Sequence, residues 1–76
     1  MARTKLIFYG TEKSQTDEHE VVCYVNDKNE IYLELSIPYF EPLKAFICFD
    51  KSTAIKFAKT IRTNINLIED EEVNNG

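Results

Sequence analysis

Tyr24 and Tyr32 are the residues whose spacing most directly places chemistry on a surface. Both lie in VVCYVNDKNEIYLELS, Val21 to Ser36, which reads as a β-hairpin. A three-residue loop, Asp27-Lys28-Asn29, opposes Val25 to Ile31, Cys23 to Leu33 and Val21 to Leu35, so those six apolar side chains share one face. A two-residue loop, Asp27-Lys28, instead opposes Tyr24 to Ile31 and Cys23 to Tyr32. A slip of one residue turns a strand's apolar set toward water, which favours the first register. Turn chemistry agrees: a three-residue loop is a type I turn followed by a left-handed residue. Asn29 tolerates that backbone, and Asp27 suits the turn. On the opposite face Tyr24 then lies across from Tyr32, and Val22 across from Glu34. Paired phenols with few charges around them suit the centre of a protein contact. They also suit stacking on unpaired bases.

Other reactive residue types are present without the partners their chemistry needs. His19 stands in Asp17-Glu18-His19-Glu20. Four consecutive residues point in different directions, whereas a metal site needs convergent ligands and a supporting shell. A general acid or base needs a second group and a pocket, which this segment does not supply. Ser52 and Thr53 read as helix-start residues rather than nucleophiles. Cys23 and Cys48 fall in predicted strands and read as buried thiols; two Cys and one His do not make a zinc site. The two glycines are Gly10 and Gly76, so no glycine-rich phosphate loop is available. The expectation is a protein that is not an enzyme, with no cofactor and no metal.

Composition narrows the class further. Seventy-six residues make one small domain, with a thin stability margin that self-association often supplements. A hydrophobic content of 43% indicates a globular chain. Glu69 to Glu72 form an acidic run, and the remaining nine acidic residues match the nine Lys and Arg. Residues 1–68 are therefore neutral, and the net charge of −4 belongs to a 69–76 tail expected to be disordered. A neutral body lacks the clustered cations that binding duplex DNA requires. The apolar run Leu6 to Tyr9 is too short for a signal-peptide core. No stretch approaches a membrane span. The default expectation is cytoplasmic.

The elements that position these residues follow from periodicity. Strand one is expected from Thr4 to Tyr9, closed by Gly10, then a polar loop TEKSQTDEH. After the hairpin, IPYFEPLK (37–44) carries both prolines and reads as a connection bearing Tyr39 and Phe40. Strand four, Ala45 to Phe49, is apolar on both parities and wants cover on both sides. Asp50 is a plausible N-cap for a helix from Lys51 to Leu67. Ala54, Phe57, Ala58, Ile61, Ile65 and Ile68 recur on one helical face. Lys56, Lys59 and Arg62 form a flanking basic stripe. The expected fold class is α+β, a four-stranded, mainly antiparallel sheet with one C-terminal helix packed on one face (ββββα). The expected core is Leu6, Phe8, Val21, Cys23, Val25, Ile31, Leu33, Leu35 and the helix stripe from Ala54 to Ile65. Strand order is open.

Four strands followed by a helix is similar to the repeats of Pur-type and Whirly-type single-stranded nucleic-acid binders, a likeness of topology without a shared motif. It implies bases stacked on the sheet, here on Tyr24 and Tyr32, with Lys56, Lys59 and Arg62 as the basic residues. The first expectation is a non-enzymatic interaction module acting through its helix-free sheet face. Tyr24, Tyr32, Val22, Ile7, Tyr9 and Glu34 are its candidate residues, and the partner is a second copy or another protein. Small acidic proteins that intercept a partner, phage-encoded inhibitors among them, share this size and tail.

Overall fold

The computed structural model describes residues 4–38 and 43–69. Residues 39–42 and the acidic run from Asp70 onward lie outside the described residues, and with them the expectations for Tyr39, Phe40 and the tail. The expected 37–44 connection is shortened at both ends, because Ile37 belongs to a strand and so do Leu43 and Lys44. The fold is α+β: strands β1 (Leu6–Tyr9), β2 (Glu20–Val25), β3 (Ile31–Ile37) and β4 (Leu43–Phe49), then helix α1 (Lys51–Ile65). The strands form one antiparallel meander in the order β1-β2-β3-β4. This settles the order, with β1 and β4 as edges.

The hairpin takes the three-residue-loop register. Val25 pairs with Ile31, Tyr24 with Tyr32, Cys23 with Leu33 and Val22 with Glu34. Asn29 has φ 64°, the left-handed conformation that the loop requires. Asn26 organises the bend. Its backbone N–H donates to the Glu30 carbonyl at 2.9 Å, and its carbonyl accepts from the Asn29 N–H at 3.0 Å. Its Oδ1 accepts from the N–H groups of Lys28 at 3.0 Å and Glu30 at 2.9 Å. An Asn side chain bonding the backbone two residues on is an Asx turn, which holds the bend without a glycine.

The polar loop after β1 is a hydrogen-bonded bend. The Gly10 N–H donates to the His19 carbonyl, and Thr11 and Thr16 exchange backbone and hydroxyl hydrogen bonds across a tight bend. Gln15 has φ 63°. A Cβ at Gly10 would run into the Thr16 carbonyl oxygen and hydroxyl, so glycine is needed there for close approach.

β4 begins two residues earlier than the sequence suggests, with Ile37 pairing Leu43 and Ser36 pairing Lys44. Pro38 lies just beyond β3, where its missing donor costs no ladder bond. The helix starts as expected: Asp50 Oδ1 accepts from the Thr53 N–H at 2.9 Å. It ends two residues earlier than expected, its last carbonyls taken by i→i−3 bonds from Asn66, Leu67 and Ile68.

The register sorts the sheet into two faces. One is apolar throughout: Leu6 and Phe8 from β1, then Val21, Cys23 and Val25 from β2. β3 adds Ile31, Leu33, Leu35 and Ile37, and β4 adds Leu43, Ala45, Ile47 and Phe49. The helix reaches this face at the hairpin-tip end, where the Phe57 ring meets Phe49 with centroids 5.7 Å apart. Ala54, Ile55 and Ala58 line a hollow there with Val25 and Ile31.

The expected core is not sealed. No helix residue is buried. Leu6, Phe8 and Leu35 are exposed, as are Phe57, Ile61 and Ile65. Cys23, Val25, Ile31 and Leu33 are half-buried. Val22, on the opposite face, is the buried hydrophobic residue among those described, at 8% exposure. The physical reason is reach: α1 covers the tip end of the apolar face and leaves the rest of it open. Cys23 and Cys48 are free thiols on opposite faces, separated by β3, so they cannot bridge.

Two substitutions test this construction. Asn29→Val should lower stability by about 1–2 kcal/mol while Asn29→Gly stays near wild type, because only the first strains a left-handed backbone. Gly10→Ala should cost about 1–3 kcal/mol through overpacking. Urea unfolding midpoints check both, and equal midpoints for the two Asn29 variants would count against the turn.

Candidate interaction surface

The face opposite the helix carries the tyrosines because they sit at odd steps from the inward valines and leucines. Tyr24 and Tyr32 are directly paired, with ring centroids 4.9 Å apart and planes tilted by 42°. Phe46 from β4 stacks on Tyr32 at 5.4 Å and 25°. Three aromatic rings from three adjacent strands therefore form one continuous cluster. Phe46 is its most open member among the exposed hydrophobics, at 67% exposure, while Tyr24 and Tyr32 are half-buried.

Polar groups hold the cluster in place. The alternation Tyr32, Glu34, Ser36 puts all three on this face. The Tyr32 hydroxyl donates to Glu34 Oε1 at 2.6 Å, and the Ser36 hydroxyl donates to Glu34 Oε2 at 3.3 Å. Lys44 Nζ lies 3.7 Å from Glu34 Oε2. Glu34 is thus a carboxylate with three partners and its own pKa held below the ordinary range, chiefly by the Tyr32 hydroxyl. The same bond, with burial second, pushes the Tyr32 phenol up to about 12. Asn26 Nδ2 donates to Cys48 Sγ at 3.7 Å, tying the hairpin bend to β4 on this side.

The expected residues come together in part. Tyr24, Tyr32, Val22, Ile7 and Glu34 are neighbours across β1, β2 and β3, and Tyr9 follows Ile7 at the β1 edge. Val22 lies in the floor of the face, flanked by Ile7 and Glu34, and offers little area for contact. Ile7 and Tyr9 are exposed. Lys56, Lys59 and Arg62 stand on α1, which joins the other face through Phe57 and Phe49. They and the tyrosines do not form one surface.

Sequence reasoning did not single out Phe46, Ser36 and Lys44. The spacing of Glu34 and Ser36 from Tyr32 was an available signal. Phe46 had none, because β4 is apolar on both parities. Among the described residues no three His, Cys, Asp or Glu side chains converge as a metal site. No helix among them is long and apolar enough to cross a membrane.

No family model matches the chain, and no curated protein or solved structure matches it either.

The Tyr32–Glu34 bond has a pH signature. A depressed Glu34 pKa stabilises the fold above the ordinary carboxylate range, and that contribution is lost as pH falls through the lowered value. Asp50, held down mainly by the Thr53 N–H, acts in the same direction. The raised Tyr32 pKa contributes below the ordinary phenol value of 10.0 and is lost as pH rises through about 12. In an ultraviolet phenolate titration, one component should have a midpoint near 12. It should move down in Glu34→Gln and vanish in Tyr32→Phe.

Proposed function

We propose that this protein is a non-enzymatic binding module that holds another protein against its Tyr24–Tyr32–Phe46 face. The observation that carries this reading is the continuous aromatic cluster with its exposed Phe46 ring. Aromatic rings are enriched in the cores of protein contacts, where they supply large area with little flexibility. The hydrogen-bonded Glu34 fixes the Tyr32 ring before binding, which lowers the ordering cost of association. Ile7 and Tyr9 extend the apolar surface toward β1, and Lys44 and Glu34 supply polar contacts beside it. A cytoplasmic setting belongs to this reading, and two thiols kept on separate faces suit a reducing compartment.

Single-stranded nucleic acid is the second reading, supported by the same rings as a stacking platform. It is the weaker one. Glu34 stands charged within the cluster, and Glu20 lies on the same face. The basic stripe of α1 is carried on the other side, so phosphates along a stacked strand would meet Glu20 and Glu34 with Lys44 beside them rather than a row of cations.

A displayed library of random peptides, selected on the folded chain and counter-selected on Tyr24→Ser/Phe46→Ser, tests the first reading. Enriched peptides should lose at least about 10-fold in affinity for the double variant, the loss expected of central aromatic anchors. Fluorescence titration with mixed oligonucleotides at two salt concentrations tests the second. Salt-sensitive binding lost in Tyr24→Ala would favour nucleic acid and displace the protein reading.

A further inference from the structure

The apolar face and the apolar stripe of α1 are two halves of one layer that the described residues do not close. At the hairpin tip the two meet through Phe49 and Phe57. Away from the tip, the sheet keeps a mainly apolar depression lined by Val21, Leu33, Leu35, Ala45 and Ile47, with Glu34 and Phe46 also bordering it. The distal helix keeps Ile61 and Ile65 at 45% and 56% exposure, beside a hollow lined by α1 and its C-cap alone.

We infer that a second copy of this chain closes the layer reciprocally: the distal half of each α1 lies across the open apolar face of its partner, with Ile61 and Ile65 seated in the depression. This is independent of the tyrosine face, which it leaves open on both protomers.

Three observations choose a second copy. First, the missing cover is present in the chain. The face lacks an apolar helix, the helix lacks an apolar sheet, and a two-fold axis satisfies both at once. Second, the dimensions agree. The distal half of α1, Ala58 to Ile65, spans about 11 Å at the α-helical rise, close to the ~10 Å between β2 and β4, the outer strands of the depression. Third, the area suffices. The exposed fractions of the large apolar side chains on this face and on the distal stripe amount to about 700 Å² per chain. A pair that covered all of it would bury about 1,400 Å², against ~1,600 Å² for a standard stable interface. The face carries no charged position in the register, so it offers nothing to steer a charged partner.

Sedimentation of the full chain at about 50 μM, above the micromolar Kd that an interface of this size has at its weakest, should give twice the 8.9 kDa chain mass. A helix variant, Ile61→Asp/Ile65→Asp, and a sheet variant, Leu35→Asp/Ile47→Asp, should each lose the dimer. Mixed in equal amounts they should form a heterodimer, because one intact helix then meets one intact sheet face. If either variant unfolds alone, regained helical circular dichroism on mixing reads the same event. A monomeric wild type overturns the inference. A helix variant that stays dimeric points to sheet-on-sheet or β4-edge pairing and overturns it. A sheet variant that stays dimeric points to helix-on-helix or β4-edge pairing and overturns it too, as does a mixture without heterodimer.

Discussion

Asn29 holds a left-handed backbone between β2 and β3, and Asn26 braces it with both its backbone and its side chain. Everything outward from that bend inherits its register. A strand has a side-chain period of two, so the bend decides which alternate residues face together across β2 and β3. β1 and β4 then add to the pattern by pairing in turn, Phe8 with Val21 and Ile47 with Leu33. One local geometry thus separates a face without charged side chains from a face of phenols, carboxylates and the Lys44 cation.

Those two faces have different physical needs. The apolar face offers water little beyond the weakly polar Cys23 thiol, and its free energy improves by being covered. α1 covers it at one end. The second copy proposed above would cover the rest, as self-association often does for a small domain. The tyrosine face is different. Its rings are partly exposed, its carboxylate is satisfied, and the Tyr32–Glu34 bond holds the Tyr32 hydroxyl in place. In the proposed reading it is a surface ready for contact rather than one that requires it.

The hairpin was legible in the sequence because two independent signals agreed: the alternation of valines and leucines, and an Asn at the one position needing a left-handed backbone. The helix and its Asp50 cap were legible from spacing and capping chemistry. The start of β4 was not, because Pro38 and Pro42 suggest a break and the strand is apolar on both parities. For the same reason Phe46 could not be assigned to the tyrosine face until the meander order was known. The loop from Thr11 to His19 looked structureless because its order comes from hydroxyl and carbonyl bonds that leave no periodic trace. The core was the least legible part. An amphipathic helix declares that its stripe must be buried, but periodicity does not say on whose sheet.

The most direct test is a nuclear Overhauser spectrum of the hairpin. The account predicts cross-strand contacts between the rings of Tyr24 and Tyr32 and between the side chains of Cys23 and Leu33. Contacts of Tyr24 with Ile31 and of Cys23 with Tyr32 would mean the two-residue bend, mixed faces, and no basis for either surface.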